Sequence, residues 1–235
     1  MTPKQALSVG AVLESMKTLG ERHRTLLVRV TLAFAALSTA TVPLQLSGTL
    51  GLAIAVGLGL LLRTIYAGML AALVCLPGNR DSAGELWNAV RPMLSSLVWL
   101  TLLVAVCTGI GIAALIIPAL ILSTIWAVVI PVMVVQPTGV FESLGKSREL
   151  VRGNGWRVFG FLLLIALITI VFGLLGLLVA LPFGNGPIGL MVANFIVICI
   201  AFPLLLGGPA ALYNELARIN GEVAPAEETK PTPGT

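Results

Sequence analysis

At 235 residues, 57% hydrophobic, only 10% charged and with a mean hydropathy of +1.03, the chain lies far from the balance of a water-soluble globular domain. Its net charge of +4 comes from basic residues in short segments beside apolar runs. That distribution excludes the contiguous solvated patch a nucleic-acid partner requires and points to a membrane protein, with little chain left for a second domain.

In chain order, residues 1–24 are polar and basic. Within them Val9, Val12, Leu13, Met16 and Leu19 share one helical face, and Glu14, Lys17, Glu21 and Arg24 fall elsewhere, as in an amphipathic helix. A first apolar run covers about 25–46. Ser38-Thr39-Ala40 has the small residues of a signal cleavage site, but the run continues through Pro43 and Leu46, so an uncleaved span is expected. The second run, about 48–70, contains Arg63, roughly 22 Å from its start at 1.5 Å per residue. That position admits two readings: a side chain that snorkels to the inner headgroups, or one that faces a cavity or a lipid phosphate.

Ser82-Ala83-Gly84-Glu85 has the spacing of a capping box, opening a helix that would carry Leu86, Trp87 and Val90 toward the membrane. Residues 93–137 then form one apolar block. As a single helix it would reach about 67 Å, roughly twice the hydrocarbon core of about 30 Å, so it must fold back. Gly109, Gly111 and Pro118 supply the break, giving spans near 93–111 and 118–136. A third amphipathic segment follows, with Val140, Phe141, Leu144 and Val151 set among Glu142, Lys146, Arg148, Glu149 and Arg152. Glu142 and Lys146 have the favourable i,i+4 spacing. Asn154, between Gly153 and Gly155, ends the helix, and Trp156-Arg157 marks the interface. Spans near 156–181 and 187–212 complete the set, and the tail 221–235, rich in Pro, Glu and Thr, is expected to be disordered.

The reversals near Ser47–Thr49, Gly109–Pro118 and Pro182–Pro187 carry no charge. Apart from Arg63, every Lys and Arg falls on the opposite side: Lys4, Lys17, Arg22, Arg24, Arg29, Arg80, Arg91, Lys146, Arg148, Arg152, Arg157, Arg218 and Lys230. Because Lys and Arg resist translocation, both ends are expected in the cytosol. The fold class is all-α: a polytopic bundle of six transmembrane helices in three hairpins, each preceded by a cytosolic amphipathic helix, within a single domain over 1–220. Val42-Pro43, Ile117-Pro118 and Leu181-Pro182 recur at the first-span ends, and Val12-Leu13-Glu14-Ser15 echoes Val140-Phe141-Glu142-Ser143. Duplication of a three-part unit and ordinary convergence explain these echoes equally well.

No Asp, Glu or His lies within a span, and His23 is the one histidine. Cys75, Cys107 and Cys199 are scattered through apolar stretches, as packing residues are. No catalytic set, metal-ligand set or cofactor motif emerges. The candidate contacts are cationic: Arg22, Arg24, Lys146, Arg148, Arg152 and Arg157 as a collar for anionic headgroups on the cytosolic side. Arg63, Ser123 and Asn194 are candidates for lining a cavity.

Between Ile116 and Leu164 the motif is more specific than hydropathy. Ile117-Pro118 and an apolar span with Trp126 and Pro131 precede Ser147, Leu150, Gly153, Asn154 and Trp156, in a Ser-x-x-Leu-x-x-Gly-Asn-x-Trp arrangement. This resembles the bacterial family that includes the membrane domain of glycerophosphodiester phosphodiesterases and the YciC-type inner-membrane proteins. The resemblance covers about residues 8–220 and implies a multi-pass protein of the bacterial inner membrane. It does not carry the phosphodiesterase activity, which resides in a separate soluble barrel with His and paired carboxylates. The expected function is therefore non-catalytic: membrane organisation or envelope homeostasis through contacts with lipid or other membrane proteins. A small exporter or permease for a hydrophobic or lipid-like substrate is the alternative.

Overall fold

The computed structural model describes residues 9–76, 82–114, 116–136, 139–183 and 186–221. Lys4, Arg80, Asp81, Asn185, Lys230 and the tail from 222 lie outside them. Among the described residues the fold is all-α, with no strand. Helix α1 spans Val9–Arg22, α2 Arg24–Thr39, the short α3 Val42–Gln45 and α4 Thr49–Cys75. Helix α5 (Ala83–Val90) passes through a 3-10 turn at Arg91–Met93 into α6 (Leu94–Ala114). Then come α7 (Ile116–Ile125), α8 (Val129–Val135), α9 (Val140–Val151), α10 (Gly155–Ala180) and α11 (Pro187–Ile219).

Among the described residues five stretches are long and apolar enough to cross a membrane: Arg24–Gln45, Thr49–Cys75, Ala83–Ile110, Gly155–Phe183 and Pro187–Ile219. The remaining apolar segment, Ala119–Val135, is shorter and interrupted at Trp126–Val128. Pro131 accounts for the interruption. Lacking an N–H and crowding the carbonyl four residues back, it cannot continue α7, but it fits the first turn of a new helix. Pro203 and Pro209 carry the same handicap, yet α11 runs through both. Neighbouring helices α2, α4 and α10 pack along it and hold it straight enough to continue.

Helix α11 packs along α10, α4 and α2, while α4 also meets α5, α6 and α8. Helix α8 is apolar all round and buried on most sides, through Val129, Pro131, Val132, Met133 and Val134. The main core gathers where α8 meets the C-terminal halves of α4 and α11, with Val12, Leu86, Val90, Leu150 and Phe161. Away from that end contact thins. Leu50, Leu52, Ile54 and Val56 of α4 are exposed, as are Leu174, Leu175, Leu177 and Leu178 of α10. Bare apolar side chains in such numbers are those of lipid-facing surface.

The amphipathic segments sit differently from the sequence expectation. Leu86 and Val90 turn into the protein core, where Val90 packs near Gly68 of α4, and Trp87 is left exposed. In α9 the buried residues are Ser143, Ser147, Leu150 and Val151, whereas Phe141 is 81% exposed. Ser143 and Ser147, four apart, present a shallow face that lets helix backbones approach. The same face of α9 brings Val140, Leu144, Leu150 and Val151 onto the core beside the two serines. Ser82 does cap α5, accepting from the Gly84 N–H at 3.2 Å.

Candidate functional site

Where α7 ends beside α9 and the start of α10, the packing leaves a groove of about 610 Å³. Leu120, Ile121 and Ile125 of α7 and Phe159 of α10 make its floor apolar. Arg148, in the last turn of α9, and Arg152, the extended residue that follows the helix, supply its charge, and Trp156 stands at its rim, 86% exposed. Gly153 adopts φ +95°, a left-handed conformation that glycine takes without penalty, and this ends α9 and turns the chain toward α10. Asn154 behind it is buried, and its backbone oxygen accepts from Val158 N at 3.0 Å, starting α10. Its side-chain Oδ1 lies 3.5 Å from Arg157 Nη1. Among the described residues, neither Arg148 nor Arg152 forms an ion pair.

The cationic collar read from the sequence is thus divided. Arg148 and Arg152 share the groove. Lys146 is half-buried, with Nζ 3.8 Å from Glu149 Oε2. Arg157 is exposed on α10, and Arg24 is exposed at the start of α2. Arg22 closes α1, and its side chain lies outside the described residues. Of the residues assigned to a cavity, Arg63 and Asn194 line one hollow of about 240 Å³ between α2, α4 and α11. Ser123 stands half-buried on α7, which packs on α6 and α10. Another hollow, of about 300 Å³, is lined by Lys17 and His23 with Leu27, Leu73 and Gly207.

Three side chains that the sequence reading left without a role turn out to hold helix ends together. Ser147 Oγ donates to Ile125 O at 2.8 Å, the carbonyl at which α7 stops. Asn214 Nδ2 donates to Val74 O at 3.1 Å, near the end of α4. Asn220 Nδ2 donates to Leu150 O at 3.3 Å, near the end of α9. Each satisfies a terminal carbonyl that its own helix cannot. Their sequence signal is a small or amide residue close to the charged side of an apolar run.

Comparison of the chain with protein-family models, with curated proteins and with solved structures finds no match.

Proposed function

We propose that the chain is a bacterial inner-membrane protein that binds an anionic phospholipid without transforming it, as a membrane-organising or envelope-homeostasis component related to the YciC-type proteins. In this reading it crosses the bilayer six times in three hairpins, with both ends cytosolic. The interrupted α7–α8 segment is the fourth crossing: Ile116–Val135 holds enough residues for roughly 30 Å of helix.

The groove carries the proposal. Its apolar floor suits an acyl chain, and its two guanidiniums, free of carboxylate partners among the described residues, suit a phosphate. Trp156, exposed beside the groove, is of the amphipathic kind that prefers the headgroup level. With Arg148 and Arg152 both replaced by Gln, the amount of phosphatidylglycerol retained in native mass spectrometry should fall about tenfold or more, since a hydrogen bond to a charged group contributes roughly 1.5–3 kcal/mol. Unchanged retention would sink the reading. An export role for a lipid-like substrate is favoured by one observation, the break at Trp126–Val128, because irregular backbone at membrane depth normally lines a cavity. Trp126 and Ala127 do border a hollow of about 130 Å³. Accelerated passage of labelled phosphatidylglycerol across vesicles would select that role.

A further inference from the structure

The hollow between α2, α4 and α11 differs in chemistry from the groove. Arg63 of α4, Asn194 of α11 and, from the α2–α3 side, Ser38, Thr41 and Gln45 bring polar groups to it. Helix α4 runs to Cys75, so Arg63 sits near its middle, roughly 21 Å from Thr49 and about 18 Å from Cys75. A charge at that depth in an apolar helix is costly unless compensated, and such residues typically mark sites.

Compensation from within the bundle is lacking among the described residues. Helices α2, α3 and α4 contain no Asp or Glu, and the one acid of α11, Glu215, is engaged by Arg218 at 2.6 Å. Arg63 does have a support: its guanidinium carbon stands 5.7 Å from the centre of the Phe202 ring. Phe202 in turn lies 5.7 Å from Phe34, which stacks on Tyr66 at 4.5 Å. The Tyr66 hydroxyl is held by Thr31 at 2.8 Å in the buried α2–α4 contact. This aromatic column positions one face of the guanidinium and leaves its edge donors for a ligand. Asn194 is fixed as well, since its Nδ2 donates to Thr39 Oγ1 at 3.3 Å.

We propose that this hollow is a second binding site, independent of the groove, that takes an oxyanion of the phosphate class, with Arg63 as its counter-charge and Asn194, Gln45 and Ser38 as polar neighbours. About 240 Å³ admits a phosphate group but not a whole lipid. The same chemistry could come from a lipid headgroup, with its chains outside along the exposed Leu52 and Val56, or from a soluble phosphate.

The test uses the full chain in phosphatidylcholine nanodiscs, with two arms. One adds phosphatidylglycerol and counts retained anionic lipids by native mass spectrometry; the other adds inorganic phosphate and reads the thermal midpoint. Two variants probe the site. Arg63→Gln removes the charge. Gly59→Leu fills the hollow from the same face of α4, where a Cβ at Gly59 meets nothing within 4 Å, and it decides the matter if Arg63→Gln does not fold. The expected result is loss, by about tenfold or more, of one retained lipid or of the phosphate-induced shift in both variants. Loss in the lipid arm alone assigns a headgroup; loss in the phosphate arm alone assigns a soluble oxyanion; loss in both shows that the hollow takes the phosphate group from either source. The Arg148→Gln/Arg152→Gln variant should keep this signal, so that failure of the groove and failure of this hollow are read separately. Wild-type behaviour of the site variants in both arms overturns the proposal and leaves Arg63 a snorkelling anchor.

Discussion

Ser147 shows how much one hydroxyl can carry in an apolar bundle. The side chain is fully buried, and its hydrogen bond spans 22 residues to the carbonyl that closes α7. Removing it leaves that carbonyl without its donor in a setting where water cannot replace it. Ser147→Ala should therefore cost about 1–3 kcal/mol of stability, measured by denaturation in mixed micelles. Thr169→Val is the comparison: Thr169 Oγ1 bonds back to Ile165 O within its own helix, a carbonyl that the helical backbone already satisfies. Its cost should be smaller, and equal losses would show that the Ser147 bond has no special standing. At this scale the sequence was partly legible. Ser147, Leu150, Gly153, Asn154 and Trp156 stood out as a motif, and the structure gives them distinct positions: a buried cap, a core side chain, a left-handed turn, a helix start and an exposed ring. What periodicity could not convey was the partner across the fold, since a hydroxyl beside an apolar run has the same pattern whether it faces lipid or a broken helix.

Among the elements, the reversal from α3 into α4 makes the tightest demand on sequence. Gly48 adopts φ +98°, and a Cβ on Gly51 would collide with Leu44 O and Ser47 Oγ. Ser47 Oγ is itself bonded to Leu44 O at 2.8 Å, so the obstacle is a braced turn rather than a loose side-chain tip. Gly51→Ala should lower the stability of the purified protein by about 1–3 kcal/mol, the usual cost of forcing an atom into packed structure. Gly57→Ala lies on the same helix with open space about its Cβ, and should be neutral or mildly favourable. Retention of wild-type stability by Gly51→Ala would mean that the reversal opens freely. Helix ends were readable because Gly, Pro and caps act locally: Ser82 starts α5 and Gly153 turns the chain into α10. What the faces of α5 and α9 meet was not, because hydrophobic periodicity marks an apolar face without saying whether lipid or protein covers it: Leu86 and Val90 of α5 and Val140, Leu144 and Val151 of α9 pack on the core. In α9 two serines permit close packing, and Phe141 is left outside.

For the molecule as a whole, the partition of charge implies a testable arrangement. Reporters fused after Ser47 and after Phe183 should be active on the periplasmic side, and one fused after Arg152 on the cytosolic side. Cytosolic activity at either of the first two sites would refute the six-crossing reading. Apolar run lengths made the membrane class legible, because roughly 20 apolar residues are needed for each crossing. They did not reveal that Ala119–Val135 divides at Trp126–Val128, nor that the core crowds toward one end. Both depend on which helices meet. One consequence reaches across the fold. Thr124, Ile125, Arg148 and Val151 wall the groove, and the Ser147–Ile125 bond clasps the same turn from behind. A ligand in that furrow would bear on this latch: prising α9 away would unfasten the severed helix, and mending the helix would reshape the seat.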